Sequence, residues 1–202
     1  MRGELPRLHA ITDERIARRP DLGTVASALA DGAGPLLAIH ARGRELTGRE
    51  HYDLASRLSV LPSLLFVNDR LDIALAVPAA GVQLGHASLP VDAARALEPR
   101  WWIGKSVHDL ASAESARAEG ADYLVVGPVY ASATHPDRAP LGLGPLKQIS
   151  ALGSPVIAIG GITAERVSDV RSAGAYGVAA IRALWDDAEP ATVVGRFLEW
   201  ML

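Results

Sequence analysis

Eight short apolar runs recur along the chain, and each is followed by a polar junction and then by a segment with helical periodicity. The runs VIAIG and YLVVG carry apolar residues on both faces and do not alternate. Such runs are typical of strands that are covered on both sides in a parallel sheet. The eight predicted strands are residues 8–12, 36–40, 63–67, 81–84, 101–106, 123–127, 155–159 and 177–181.

The spacing of these runs favours a (β/α)8 barrel over a doubly wound sheet. Eight β/α pairs in 202 residues average about 25 residues each, against roughly 31 in a typical barrel. Five or six units of a doubly wound sheet would take about 34–40 residues each, which is longer than the observed spacing. We therefore expect an α/β fold, a compact (β/α)8 TIM barrel with short loops, formed by residues 1–202 as a single domain. The longest non-periodic segment, 131–144, follows the sixth strand.

The helix-like segments between the runs carry start signals. Serine, threonine and aspartate side chains can accept hydrogen bonds from the free N–H groups of a first helical turn. We expect N-terminal caps at Asp21, Ser88, Asp109 and Thr163.

Composition and charge narrow the class of protein. The chain is 49% hydrophobic and 21% charged, which indicates one sizeable core. A net charge of −3 argues against a nucleic-acid or membrane-surface partner. The absence of cysteine excludes disulfides, thiolate zinc sites and a cysteine nucleophile. With no signal-like apolar start and no membrane-length apolar run, we expect a cytoplasmic protein.

Polar and glycine residues collect directly after the predicted strands. In a barrel, function concentrates where the strands end at the carboxyl face. The residues expected there are Thr12, Asp13, His40, Arg42, Arg44, Asn68, Asp69, residues 85–88, Ser106, His108, residues 127–135, Gly160, Gly161, Ile181 and Arg182.

The segment AIGGIT, after the seventh strand, is the strongest local signal for phosphate binding. Gly160 and Gly161 would let backbone N–H groups approach a phosphate, and a helix N-terminus would add its positive end. GVAAIRAL lies at the eighth strand, and loops after strands seven and eight form the recurrent phosphate site of barrels. The alternative is that the two glycines only turn the chain.

Two arginines follow the second strand. Arg42 and Arg44 could hold a diphosphate in a bidentate manner. Alternatively they belong to a solvated basic loop, because charged residues continue after them.

Asn68 and Asp69 follow the apolar run LLFV and could hold Mg²⁺ through oxygen ligands while phosphates complete its coordination. Asp69 could equally cap the next helix. Ser106 and His108 could donate hydrogen bonds to a ligand, although His108 also resembles an ordinary helix entry. A lone loop histidine such as His135 is more often solvated than catalytic.

In these residues the chain resembles the thiamine phosphate synthase/TenI superfamily of small (β/α)8 barrels. The resemblance runs from about residue 8 to the last helix. The matching motifs are LHAITD, VNDRLDIA, AGVQLGHASLP, IGKSVHDLASAESARAEGADYLVVGPVYASATH, GLGPLKQI, PVIAIGGIT and GVAAIRAL.

The resemblance implies a thiamine biosynthesis transferase that acts on small phosphorylated heterocycles. In the synthase, hydroxymethylpyrimidine diphosphate loses diphosphate with the help of Mg²⁺ and basic side chains, and the thiazole nitrogen attacks the pyrimidine methylene cation. The implied catalytic residues are Arg42, Arg44, Ser106 and His135, the implied metal ligand is Asp69, and the implied substrate and phosphate contacts are His40, Asn68, Ser132, Thr134, Gly160, Gly161, Ile181 and Arg182.

Three positions depart from the synthase pattern. Ser88 stands where the superfamily has a second metal-binding aspartate, and His135 stands where it has a loop lysine. Arg182 replaces a serine that donates to phosphate. Because a single carboxylate holds Mg²⁺ weakly, these changes weaken the expected metal–diphosphate site.

Two alternatives to the synthase stay open. One is the metal-free thiazole tautomerase of the TenI branch, whose catalytic histidine corresponds here to Pro128. A histidine displaced to His40, His86, His108 or His135 could then act as acid and base. The other is a catalytically silent binder of thiazole phosphate or thiamine phosphate.

The apolar residues near the C-terminus leave the oligomeric state open. Trp185, Phe197, Trp200 and Leu202 could pack on the barrel or on a second copy of the chain. A homo-oligomer, dimer or tetramer, is therefore compatible with the sequence.

Overall fold

In the computed structural model, which describes residues 3–132 and 139–201, eight parallel strands close into a barrel. Each strand pairs with the next one along the chain, and β1 pairs with β8 to complete the ring. The strands are β1 (Leu8–Ile11), β2 (Leu37–Ala41), β3 (Leu64–Asn68), β4 (Gly81–Leu84), β5 (Trp102–Val107), β6 (Tyr123–Val126), β7 (Val156–Ile159) and β8 (Gly177–Ala180). The predicted (β/α)8 TIM barrel is confirmed, and the strand ends agree with the predicted ones to within one residue.

Helices connect the strands and cover the outside of the barrel. Within the described ranges they are α1 (Glu14–Ala17), α2 (Leu22–Ala33), α3 (Gly48–Leu58), α4 (Leu71–Ala76), α5 (Val91–Leu97), α6 (Leu110–Ala118), α7 (Leu143–Ser150), α8 (Val167–Ser172), α9 (Arg182–Trp185) and α10 (Pro190–Leu198). Short 3₁₀ helices lie at Gly34–Leu36 and Ala164–Arg166. Among these residues, no helix is both long enough and apolar enough to cross a membrane.

The predicted helix caps are confirmed in part. Asp109 caps α6, where its carboxylate accepts a hydrogen bond from the third helical N–H. Asp21 and Thr163 occupy N-cap positions without making a side-chain cap. Ser88 is wrong as a cap, because α5 begins three residues further on and the Ser88 hydroxyl bonds to a neighbouring loop instead.

The inward-facing apolar residues fill the barrel by pairing large rings with glycines on adjacent strands. Phe66 on β3 lies beside Gly81 on β4, where a Cβ atom would come within 2.6 Å of the phenyl ring. Tyr123 on β6 lies beside Gly104 on β5, where a Cβ atom would collide with the phenol ring. Glycine on one strand therefore makes room for an aromatic ring on the next. The interior cluster comprises Leu5, Ile11, Ala38, Phe66, Tyr123, Val125, Ile157 and Ala179.

Polar side chains accompany these rings inside the barrel. His9, His40, Asn68 and Gln83 are all buried, and each lies on a different one of the first four strands. Buried polar groups need hydrogen-bond partners, so their placement is specific. They lie beneath and around the carboxyl-end opening, where the sequence predicts function.

The C-terminal aromatic residues divide between core and surface. Trp185 and Phe197 are fully buried within this chain, whereas Trp200 is 56% exposed. Leu202 lies outside the described residues. The apolar face of α10 is therefore covered by α2, α9 and the 3₁₀ helix Ala164–Arg166, without a second copy of the chain.

Candidate active site

A cavity of about 560 Å³ opens at the carboxyl ends of the strands. The predicted site residues that line it are Arg42, Arg44, Asn68, Asp69, Ser106, Ser132, Gly160, Gly161, Ile181 and Arg182. His40 lies beneath it and is fully buried. Thr134 and His135 lie outside the described residues, so the structure places neither of them.

The loop after β2 brings two arginines to the cavity. Thr12, fully buried directly after β1, holds this loop by accepting a hydrogen bond from Arg42 N at 2.9 Å. Burial, and then repulsion by Arg44, lowers the pKa of the Arg42 guanidinium. Arg42 nevertheless stays charged at neutral pH, because an arginine pKa starts above 12. The cavity therefore has a fixed positive charge on this side.

Asp69 connects two neighbouring loops. It follows β3 with a φ of 62°, in the left-handed region that aspartate tolerates better than most residues. Its Oδ1 accepts hydrogen bonds from Gly85 N at 2.8 Å and from the Ser88 hydroxyl. Asp69 as a helix cap is therefore wrong: the N-cap of α4 is Arg70, and that helix has no side-chain cap.

The carboxylate of Asp69 suits a magnesium ion that a phosphorylated ligand helps to hold. Asp69 is exposed towards the cavity and uses Oδ1 for the loop, which leaves Oδ2 as the oxygen able to reach a cation. Within residues 3–132 and 139–201, no group of three His, Cys, Asp or Glu side chains could hold a metal. Mg²⁺ commonly binds through one or two carboxylates, substrate phosphates and water. The side chains present fit that mode and do not form a protein-only cage.

Asn68 forms part of the cavity floor and is hydrogen-bonded from below. His40 Nδ1 lies 3.0 Å from Asn68 Oδ1 and donates a hydrogen bond to it. Burial lowers the pKa of His40 to about 4, although the bond to Asn68 acts in the opposite direction. His40 is therefore neutral at physiological pH, and it reaches the cavity only through Asn68.

Ser106 is oriented by a glutamine on the adjacent strand. Gln83 Nε2 donates to Ser106 Oγ at 3.0 Å, so the Ser106 hydroxyl hydrogen is left to donate to another group. The sequence-based interpretation missed Gln83 as a site residue. Its signal was present, since a glutamine interrupts the apolar strand GVQL directly before the glycine loop.

The turn after β7 requires both of its glycines. Gly160 and Gly161 have φ values of 97° and 64°, which side chains rarely adopt. A Cβ atom at Gly160 would lie 2.5 Å from Pro128 Cα, and one at Gly161 would lie 2.5 Å from Ala131 O. The backbone therefore packs closely against the segment after β6 while it lines the cavity.

Arg166 supports this turn and was also missed by the sequence-based interpretation. Its Nη1 donates to Gly161 O at 2.6 Å, and its guanidinium carbon lies 4.5 Å from the ring centroid of Tyr130. Arg166 also lines the cavity, so it adds positive charge next to the turn. The signal was an arginine in the segment TAERV directly after AIGGIT.

The end of β8 completes the cavity opposite the loops after β3 and β4. Ile181 and Arg182 lie at the start of α9, and both line the cavity together with Ser132. The helices next to this side are short, with three residues at Ala164–Arg166 and four in α9. Such short helices add little dipole, so glycine backbone N–H groups and arginines contribute most here, and the helix N-terminus that the sequence suggested contributes less.

Two of the histidines considered as acid or base groups reach the cavity. His86 and His108 line it, and His108 Nδ1 lies 2.6 Å from Gly127 O. A carbonyl oxygen only accepts, so Nδ1 of His108 carries the hydrogen in this bond. Pro128, at the position of the tautomerase histidine, also lines the cavity.

The fold and the cavity together define a (β/α)8-barrel enzyme whose site lies at the carboxyl ends of the strands. Comparison with known proteins identifies the family. The sequence model of the thiamine monophosphate synthase family matches residues 8–184, and the chain belongs to this family.

Two thiamine-phosphate synthases are similar in sequence to this chain over nearly its whole length. The thiamine-phosphate synthase of Salinispora arenicola is 43% identical over 202 residues, which cover 96% of this chain and 97% of that protein. The thiamine-phosphate synthase of Pyrococcus horikoshii is 38% identical over 193 residues, covering 92% of this chain and 91% of that protein.

Solved structures support the same fold. Thiamine phosphate pyrophosphorylase from Pyrococcus furiosus superimposes with a TM-score of 0.82 at 34% identity, covering 96% of this chain and 95% of the other. A 3-hexulose-6-phosphate synthase superimposes with a TM-score of 0.73 at 18% identity, covering 98% of this chain and all of the other. The second likeness concerns the barrel alone.

Proposed function

We propose that this protein condenses hydroxymethylpyrimidine diphosphate with thiazole phosphate and releases thiamine phosphate and diphosphate. Membership of the thiamine monophosphate synthase family supports this reaction. The observation that carries it is that a single cavity is lined by candidate phosphate-binding groups on two sides. Arg42, Arg44 and Asp69 follow β2 and β3, whereas Gly161 and Arg182 follow β7 and β8.

Barrel geometry sets these two sides apart. In a closed ring of eight strands in sequence order, β3 lies across from β7. A diphosphate on the arginine side and a phosphate on the glycine side would therefore face each other across the opening. The two organic rings would meet between them, over the floor that Asn68 and Val125 contribute. Such positioning of two reactants supplies much of the acceleration of a condensation.

Loss of diphosphate creates negative charge, and the arginine side is built to stabilise it. Arg42 and Arg44 offer fixed charges and planar donors for phosphate oxygens. Ser106 can add a hydroxyl donor because Gln83 already occupies its oxygen. Donors that are held in place before the reaction stabilise developing charge without rearranging.

Magnesium binding at Asp69 is part of this proposal. Asp69 would hold the ion through Oδ2, with the Ser88 hydroxyl beside it on Oδ1. When bound, the ion supplies positive charge that neutralises the diphosphate. The chain's own contribution is to keep the carboxylate in position through Gly85 N and Ser88.

The second substrate would bind by its phosphate at the glycine turn. Gly160, Gly161 and Ile181 bring backbone groups to the cavity, and Arg182 brings a charge. Ser132 lines the same region, and the proposed contacts of Thr134 and His135 continue from it along the chain. Pro128 in the lining supports the synthase over the tautomerase, because proline has no group that shuttles protons.

The experiment is turnover with both substrates and Mg²⁺, with thiamine phosphate measured by fluorescence after oxidation. We expect product, and we expect Arg42→Met to lower kcat/KM by about 100-fold or more. Arg49→Met is the matched control, because Arg49 is exposed on α3 and pairs with Asp53. If no product forms while thiazole phosphate still raises the melting temperature, the synthase assignment is wrong, and the tautomerase and the silent binder remain.

A further inference from the structure

The short helix α1 belongs to a segment that contacts both sides of the cavity from outside it. β1 pairs with β2 on one edge and with β8 on the other. Residues 12–19, called here the bridging segment, follow β1 and therefore lie between the loop after β2 and α9 after β8. The loop after β2, residues 42–47, is called here the arginine loop. The proposed reaction uses no side chain of the bridging segment.

Two side chains of the bridging segment hold the arginine loop. Glu14 Oε1 accepts a hydrogen bond from Glu45 N at 2.9 Å. The Thr12 hydroxyl accepts one from Arg42 N at 2.9 Å. These two contacts flank Arg44 in the sequence, so the stretch of backbone that carries both arginines is fixed at each end.

Arg15, the residue next to Glu14, binds α9. Its Nη1 and Nη2 each donate to one oxygen of Asp186, both at 2.9 Å. Arg19 adds a hydrogen bond from Nη1 to Trp185 O at 2.6 Å. Asp186 is the C-cap of α9, and this four-residue helix begins at Arg182 on the glycine side of the cavity. A bidentate pair defines both distance and orientation, so it fixes where this helix lies.

The turn that carries Glu14 and Arg15 is itself anchored. The Ile16 side chain is fully buried in the core, and Ile16 N donates to Asp13 Oδ1 at 2.8 Å, which caps α1. Neither Glu14 nor Arg15 lines the cavity. They can therefore act on a bound ligand only through the loop and the helix that they hold.

The charge of Glu14 by itself opposes anion binding. Burial acts to raise the pKa of Glu14, but the backbone N–H groups of Glu14, Glu45 and Arg44 lower it, so the carboxylate is ionised at neutral pH. A negative charge next to the arginine loop repels a diphosphate. A carboxylate at this place nevertheless holds the loop well, because an ionised acceptor makes a stronger hydrogen bond to an N–H group.

We propose that Glu14 and Arg15 are positioning residues, of which Glu14 sets the loop that carries Arg42 and Arg44, and Arg15 sets the helix that begins at Arg182. Two adjacent residues of one anchored turn thereby fix the spacing between the two phosphate-binding sides. The ligand assigned to each side rests on the proposed function. Groups that are held in place before binding lose less freedom when the ligand arrives, so each contact should strengthen binding on its own side.

Glu14 is tested with two variants of equal charge. Glu14→Gln keeps an oxygen that can accept from Glu45 N, whereas Glu14→Ala removes it. The probe is inorganic diphosphate with Mg²⁺, and calorimetry measures its Kd. We expect Glu14→Ala to bind the probe about fivefold more weakly than Glu14→Gln, which is the scale of one hydrogen bond. Equal Kd values in the two variants would show that Glu14 acts through its charge alone and would overturn its positioning role.

A measurement without ligand checks the same contact. The Glu45 amide hydrogen, followed by NMR, should exchange with solvent faster in Glu14→Ala than in Glu14→Gln, because only the second variant keeps the acceptor. Equal exchange rates would mean that Glu14 does not hold the loop.

Arg15 is tested with Arg15→Lys and Asp186→Ala. Lysine keeps the charge but cannot make the bidentate pair, so Arg15→Lys should raise the Kd of thiazole phosphate about threefold and change that of diphosphate less than twofold. Asp186→Ala should also weaken thiazole phosphate binding, although removal of a negative charge would by itself tighten it. Arg49→Lys is the control, because Arg49 is exposed and pairs with Asp53 on α3. Unchanged or tighter binding in either test variant would overturn the role of Arg15.

The results separate these roles from the proposed function. If the wild-type protein shows no turnover but the Kd values change as expected, the proposed reaction is wrong and the positioning roles hold. If turnover occurs and none of the Kd values changes, the positioning roles are wrong and the reaction holds. If the wild-type protein binds neither probe, both are wrong. Exposed ion pairs contribute little to stability, so the variants should melt close to the wild-type temperature.

Discussion

Ser88 donates its hydroxyl hydrogen to Oδ1 of Asp69, and this bond links the loop after β4 to the end of β3. Gly85 N donates to the same oxygen at 2.8 Å. At the position of Ser88 the resemblance to the synthases predicts a second metal-binding aspartate. This chain therefore has a neutral donor on a single carboxylate where a pair of carboxylates is expected. The proposed metal site can therefore be tested by substituting Asp69 and, separately, by substituting Ser88.

Removing the charge of Asp69 should abolish metal-dependent turnover and keep the fold. In Asp69→Asn, Oδ1 still accepts from Gly85 N and Ser88, so we expect the melting temperature to change little. Magnesium-dependent turnover should fall by about 100-fold or more, because an amide oxygen is a much weaker ligand for this cation. Asp31→Asn on the outer face of α2 is the control. Unchanged turnover as a function of Mg²⁺ concentration would exclude Asp69 as a ligand.

Adding a carboxylate at Ser88 should strengthen the metal site. In Ser88→Asp two carboxylates approach each other, so stability without metal should fall because like charges repel. The Mg²⁺ concentration for half-maximal turnover should fall by about threefold or more, because the ion gains a second charged ligand. Titration of activity with Mg²⁺ measures this, and Ser88→Ala separates loss of the hydroxyl from gain of charge. An increase in the required Mg²⁺ would contradict the proposed ligand arrangement.

A side chain at the glycine turn should block binding of a phosphate ligand. At Gly161 a Cβ atom would lie 2.5 Å from Ala131 O, at a φ of 64° that side chains resist. Gly161→Val should therefore abolish the rise in melting temperature that thiazole phosphate produces. Gly195→Ala is the control, since nothing lies within 4 Å of its position on α10. That change should stabilise the helix by about 0.5–1 kcal/mol and leave binding unaltered. An unaltered thermal shift in Gly161→Val would place the phosphate elsewhere.

The two buried histidines His9 and His40, called here the buried pair, should make the protein less stable in mild acid. Burial lowers the pKa of His40 to about 4, whereas an unfolded histidine titrates near 6.5. Between these values the unfolded chain binds more protons than the folded one, so stability falls as pH falls. From pH 7.5 to pH 5, His40 should account for a loss of about 2 kcal/mol, and His9 acts in the same direction.

Urea unfolding at a series of pH values measures this loss. His40→Leu should unfold with a shallower dependence on pH than the wild-type protein between pH 7.5 and pH 5. His86→Gln is the comparison variant, since His86 lies at the cavity surface and is not part of the buried pair. Equal slopes for wild type and His40→Leu would mean that His40 is charged in the folded protein.

The barrel could be predicted because its signal is local. Runs such as VIAIG are apolar on both faces, and their spacing of about 25 residues leaves room for one short helix each. The strand ends followed directly, and with them the position of residues such as Arg42, Asp69 and Gly161 at the carboxyl face. Helix caps were predicted less accurately than strands. Ser88 looks like a cap in sequence, yet its hydroxyl bonds across to the neighbouring loop.

What the sequence determined by itself was the order of strands and the set of polar groups at their ends, because period and spacing depend on neighbouring residues alone. The tertiary structure decided how those groups pair: Asp69 with Ser88, Gln83 with Ser106, Arg166 with Gly161. It also placed His40 beneath the cavity and not in its wall. These pairings join residues on different strands and loops. Their distances depend on closure of the whole barrel, which no local pattern encodes.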